Sequence, residues 1–155
     1  MENLFTRRRL AVMLGGLTAV SSRAESAPGT IHFDVDFKTA PEKIYQALLD
    51  AKVFLAFSKL PAEIDARPGG AFKLFDGQIE GRNVELIANQ RIVQAWRPAS
   101  WPAGVYSIVR FELTARNGGT RIVFDHTGFP VDKQQHLTEG WENHYWGPLH
   151  KYLSA

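Results

Sequence analysis

The stretch GWENHYWGPLHKYL, residues 140–153, packs two Trp, two Tyr and two His around a single Pro. With Leu137 upstream, Trp141, Tyr145, Leu149 and Leu153 recur at strict intervals of four, and His144, Pro148 and Tyr152 widen the stripe. An α-helix has 3.6 residues per turn, so a step of four drifts around its surface. A helix with so broad an apolar face needs a second layer wrapped against it. Pro148 brings no amide to the His144 carbonyl, which predicts a kink near that turn.

The preceding residues supply the second layer. Ile31, Phe33, Val35 and Phe37 alternate with His32, Asp34, Asp36 and Lys38, the pattern of a half-buried strand. Thr39-Ala40-Pro41-Glu42 reads as a capping box, opening a helix with Ile44, Ala47 and Leu48 on one stripe. Phe54, Leu55 and Phe57 predict a second short helix. After the turn at Pro68-Gly69-Gly70 comes a short strand at 71–75, then an Asp76-Gly77 hairpin turn into a strand at 78–87. A strand at 91–97, a loop at 98–104 and alternating strands at 106–116 and 120–127 complete the set. This order predicts an α+β fold in which a curved antiparallel sheet lays its concave face on the long C-terminal helix, the cheapest way to bury the stripe.

With 155 residues, 45% apolar and no cysteine, the chain has the size and composition of one domain with its own core. Four of its 18 basic residues (Arg7, Arg8, Arg9 and Arg23) and two of its 16 acidic residues fall within the first 27 positions, leaving fourteen of each beyond. That balance excludes a clustered basic surface for nucleic acid. Residues 1–27 follow the three-part layout of an export signal: a basic start, an apolar run at 10–20, then small and polar residues. Eleven apolar residues are too few to span a bilayer core of ~30 Å. The run Thr6-Arg7-Arg8-Arg9-Leu10-Ala11 resembles a twin-arginine signal, with cleavage expected after Ala24 or Ser26. The expectation is a periplasmic or secreted protein without a stable membrane anchor after cleavage, its domain occupying 28–155.

A set of motifs then appears in order: Gly69-Gly70-Ala71-Phe72, Gly77 with Gly81, IVQAWR at 92–97, Trp101-Pro102, Gly118-Gly119-Thr120, His126-Thr127-Gly128-Phe129-Pro130 and Gly140-Trp141. Their order and spacing resemble the domain shared with the C-terminal half of the activator of heat-shock protein 90 ATPase, within the START-like, helix-grip superfamily (SRPBCC). The resemblance spans roughly residues 30–153. It implies a sheet gripping a C-terminal helix with a cavity between them.

Alternation places Asn83, Gln94 and Trp96 on the inner face, where the two amides either pair or mark a wet cavity. Gly81 there could admit a bulge or leave space under the helix. His126 shares the inward face with Phe124 and is read as a neutral core residue or a hydrogen-bonding group for a ligand. Phe72, Leu74, Val109, Phe111, Trp141 and Tyr145 complete the expected cavity lining. His136, Glu139 and Asn143 make a poor metal set, so no metal, cofactor or catalytic residue is expected. Ser58, Ser100 and Ser107 lack a nucleophile-elbow context.

The leading expectation is a non-catalytic START-like domain that holds a small hydrophobic molecule. The alternatives are a protein partner, as in a module stimulating a chaperone ATPase, and a cyclase- or hydrolase-type enzyme using His126.

Overall fold

The computed structural model describes residues 28–155; residues 1–27, where an export signal is expected, lie outside the described residues. Strand β1 (Gly29–Phe37) leads through α1 (Pro41–Leu49) and α2 (Ala51–Ser58) to β2 (Glu63–Ile64) and β3 (Ala71–Leu74). Then follow β4 (Ile79–Ile87), β5 (Arg91–Pro98), β6 (Ser107–Arg116) and β7 (Gly119–Phe129). The seven strands form one antiparallel, curved sheet in the order β1-β7-β6-β5-β4-β3-β2. The terminal helix has three continuous segments: α3 (Gln134–Gly140), a π-helical segment (Trp141–Trp146) and α4 (Gly147–Leu153). The fold is the α+β helix-grip arrangement. No helix of the described residues is long and apolar enough to cross a membrane.

The π-helical segment resolves both irregularities of the terminal helix. A step of four overshoots an α-helical turn by ~40°. The i→i+5 turn is wider, so the same step falls short there and cancels part of the drift. Leu137, Trp141, Tyr145 and Leu149 consequently all stay buried. The Gly147 amide bonds the Glu142 carbonyl, five residues back. Pro148, which has no amide, then sits in the first turn of α4, where none is needed. The kink expected near His144 takes the form of this wider turn.

Two local expectations are corrected. The capping box at Thr39 does not form: the N-cap of α1 is Ala40, without a side-chain cap, and the Thr39 carbonyl instead accepts from the Thr120 hydroxyl at 2.6 Å. Pro41 sets the helix start one residue later than the box requires. The bulge in β4 lies at Val84 rather than Gly81, between the β4–β5 pairs Asn83–Gln94 and Glu85–Val93. The extra residue reverses the alternation, so Leu86 packs on the core while Glu85 turns to solvent. Gly81 serves close approach instead. A Cβ there would lie 2.0 Å from the Ala95 carbonyl oxygen and 2.6 Å from the Phe72 ring.

Because the Ala95 backbone cannot retreat without breaking the β4–β5 ladder, Gly81→Ala is expected to cost about 1–3 kcal/mol of unfolding free energy in urea titrations. Gly140→Ala is the control: a Cβ there meets nothing within 4 Å, and no loss is expected.

Candidate functional site

The β6–β7 register pairs Val109 with His126, and the imidazole enters the core with no exposed surface. Trp141 Nε1 donates to His126 Nδ1 at 3.0 Å. An indole N–H can only donate, so Nδ1 carries the lone pair and the proton resides on Nε2. That Nε2–H donates to Ser107 Oγ at 2.7 Å, and the Ser107 hydroxyl donates to the Trp96 carbonyl at 2.8 Å. Burial pushes the imidazole pKa from 6.5 down to about 3, so the ring is neutral at physiological pH. With both nitrogens engaged, it has neither a lone pair nor a proton to offer a substrate.

A second buried polar group sits on β4 and β5. Gln94 Nε2 donates to Asn83 Oδ1 at 3.1 Å, and Asn83 Nδ2 donates to the Asp65 carbonyl at 2.9 Å. The two amides therefore pair with each other and tie down the chain leading into β3. Their polarity is consumed in holding the fold.

Eleven residues were expected to line a cavity between sheet and helix. Eight of them, Phe72, Leu74, Asn83, Gln94, Val109, Phe111, Phe124 and His126, are buried in the packed interior, apart from the cleft described below. The space under the helix is filled by rings: Trp141 lies 4.4 Å from Phe124, 4.3 Å from Tyr145 and 5.5 Å from Trp96, centroid to centroid. Trp146, not anticipated from the spacing, joins this packing against Phe111 and Phe124.

Trp96, Trp141 and Tyr145, themselves almost wholly buried, stand apart from the other eight. They border a cleft of about 1100 Å³ between the terminal helix, the turn at 75–79 and the loop at 98–102. Its wall is held by Arg97, which is 6% exposed. Arg97 Nε donates to the Val105 carbonyl at 3.1 Å, and Nη2 to the Pro102 carbonyl at 3.1 Å and to that of Trp101. Nη1 pairs with Glu80, and the guanidinium stands 5.7 Å from the Tyr106 ring centre. Alternation gave no sign of this, because Arg97 follows an inward Trp96 and should face solvent. A signal was present in the Pro-containing loop that follows, whose carbonyls need donors from elsewhere.

Polar residues along the cleft are Lys133, His136, Glu139, Asn143 and His144 from the helix side, Asp76 and Gln78 from the turn and Ser100 from the loop. Among the described residues no three His, Asp or Glu side chains stand close enough to hold a metal ion. At the base, Trp96 Nε1 is buried without a hydrogen-bond partner. Burial raises the Tyr145 hydroxyl pKa above its ordinary value. The phenol therefore keeps its proton at physiological pH.

Three comparisons place this geometry among known proteins. Residues 38–154 match the family model described as Activator of Hsp90 ATPase homolog 1-like protein. The chain is 30% identical over 109 residues to the human activator of 90 kDa heat shock protein ATPase homolog 1, covering 70% of this chain and 32% of that one. It is 33% identical over 115 residues to the mouse homolog 2, covering 74% and 35%. It spans about a third of the length of these curated relatives. Among solved structures, an Hsp90 activator from Plasmodium falciparum superposes with a TM-score of 0.77 at 24% identity, covering 81% of this chain and 96% of that one. Protein CV1439 from Chromobacterium violaceum gives 0.66 at 26% identity, covering 81% and 97%.

The His126 geometry sets a pH dependence. Between pH 6.5 and about 3 the unfolded chain binds a proton at His126 that the folded one refuses. Stability therefore rises with pH through that window and erodes as pH falls, by up to about 1.4 kcal/mol per pH unit from this site. Urea titrations of the wild type and His126→Gln read the difference: a shallower acid slope is expected in the variant, and equal slopes would contradict the sealed, neutral ring.

Proposed function

The chain belongs to the Activator of Hsp90 ATPase homolog 1-like family, and from that premise we propose that it is a non-catalytic domain holding a small, largely apolar molecule in the cleft beside its terminal helix. The observation that carries this reading is the cleft itself, about 1100 Å³ with aromatic residues at its base. Ligand sites of drug-sized molecules measure ~300–1,000 Å³ and combine apolar walls with a few polar groups. The Arg97 hydrogen bonds support the reading further, since a wall held by buried contacts needs little ordering when a guest arrives. Occlusion of His126 argues against the hydrolase or cyclase alternative built on that residue.

A second reading follows from the relatives, which are named as activators of the 90 kDa heat shock protein ATPase. On that reading the domain docks on a chaperone and its cleft is incidental. Location separates the two. We assign residues 1–27 as a twin-arginine export signal, which would carry the domain away from a cytoplasmic chaperone. The mass of the protein recovered from its host is expected to place the mature N-terminus just after Ala24 or Ser26; an intact N-terminus in the cytoplasm would favour the chaperone reading.

Binding is tested by filling the cleft. Gly140 lines it, and a Cβ there meets nothing within 4 Å. Gly140→Trp should fold without loss of unfolding free energy and lower affinity for the fluorescent probe anilinonaphthalene sulfonate at least about tenfold. Undiminished binding by the folded variant would remove the cleft as the site.

A further inference from the structure

Charge beyond residue 27 balances in sum but not in place. On the outer face of the sheet, Arg91, Arg110 and Arg121 each stand within 2.9 Å of a carboxylate oxygen. The helices α2 and α4 carry the opposite arrangement. From Ala51 to Ala62 and from Gly147 to Ala155 there is no Asp or Glu. Lys52, Lys59 and Lys151 are exposed in these segments, and none of them forms an ion pair among the described residues. Asp50, at the head of α2, spends its carboxylate on the backbone amides of Lys52 and Val53, at 2.8 and 3.1 Å.

The same face carries apolar side chains in the open. Leu55 is 45% exposed, Leu60 37% and Tyr152 38%. Lys52, Leu55 and Lys59 follow one another at i, i+3 and i+7, a single stripe of α2 turned away from the buried Phe54 and Phe57. On α4, Lys151 and Tyr152 are exposed while Leu149 is buried. The two helices pack against each other, which brings their solvent sides together.

We propose that the solvent side of α2 and α4 docks reversibly on an anionic lipid bilayer, a contact independent of what the cleft holds. A lysine lays its hydrocarbon stem along apolar surface and keeps its ammonium at the depth of lipid phosphates. Leu55 and Tyr152 between such lysines then enter the headgroup boundary, as the apolar face of an interfacial helix does. Neither of the two borders the cleft, so they stand as projections, and a fluid surface needs no matching pocket to receive them. A second copy of the chain meets this face badly, because like faces set lysine against lysine. Each lysine near an anionic surface is worth about fivefold in affinity, so three give a weak, salt-sensitive attachment.

The chain has no cysteine, so a single one can carry a nitrobenzoxadiazole fluorophore to a chosen place. The full chain is labelled at Leu55→Cys, at Tyr152→Cys or, as a control, at Val84→Cys, a residue 54% exposed on the sheet. With vesicles of equal parts phosphatidylglycerol and phosphatidylcholine, the first two probes should brighten and shift to the blue, and the Val84 probe should not. Attachment through residues 1–27 alone leaves all three silent, so the readout belongs to the helical face. The triple variant Lys52→Gln/Lys59→Gln/Lys151→Gln should keep its urea midpoint and lose affinity on the order of a hundredfold, read from the Tyr152 probe. An equal response on phosphatidylcholine alone, or an undiminished one in the triple variant, would overturn the proposal. So would silence at both helical positions. A shift on polyglutamate in place of vesicles would then name an acidic polypeptide as the occupant, and one that grows with protein concentration alone would name a second copy.

Discussion

The bond from the Trp141 indole to His126 Nδ1 joins the terminal helix to the sheet, and much of the architecture is arranged around it. Burying a Trp side chain removes roughly 150–250 Å² from water, worth on the order of 4–6 kcal/mol gross, whereas a hydrogen bond nets only about 1 kcal/mol. Packing therefore holds the helix down, and the hydrogen bond decides where it sits. Any rotation of the helix about its axis would leave an indole N–H and an imidazole nitrogen buried and unpaired, a cost that apolar contact alone does not impose. The chain of donors continues through Ser107 to the Trp96 carbonyl, so three strands and the helix share one ordered set of protons.

That constraint has a consequence for open space. Trp141 is pulled onto the sheet, and Phe111, Phe124 and Trp146 close around it. The concave face, where a helix-grip fold invites a cavity, becomes solid core. Open volume lies beside the helix, between α3, the turn at 75–79 and the loop at 98–102. Arg97 keeps that loop from folding inward by satisfying carbonyls that Pro102 and its neighbours cannot satisfy locally. The interior is thus closely packed, and open volume lies at its edge. The π-helical segment serves both ends, holding the four-residue stripe against the sheet while letting Pro148 continue the helix.

Much of this was legible in advance, for reasons that differ by element. The alternation of Ile31 to Phe37 and of Ser107 to Leu113 reads directly as strands, because a pleated chain has a period of two whatever surrounds it. The inward direction of His126 followed from the same parity. The bulge at Val84 did not, since nothing local distinguishes the residue that will be squeezed out of a ladder. Nor did Arg97, whose burial depends on carbonyls in a loop that approaches it only after folding. Of the expected cavity residues, Trp96, Trp141 and Tyr145 border the cleft and the other eight fill the core, because alternation reports which side of a sheet a residue faces and is silent on whether its neighbours touch.

The sequence by itself determined the order of elements, the inner and outer faces of the long strands and the identity of the gripped helix, all of which depend on local period and turn chemistry. Its family motifs pointed to the same fold. Only the tertiary structure decided that Asn83 and Gln94 would pair, that His126 would be occupied at both nitrogens and that the hollow would lie at the helix's edge. Those outcomes depend on distances between residues far apart in the chain, set by how bulky rings share a fixed volume, and no pattern along one strand or helix encodes that division.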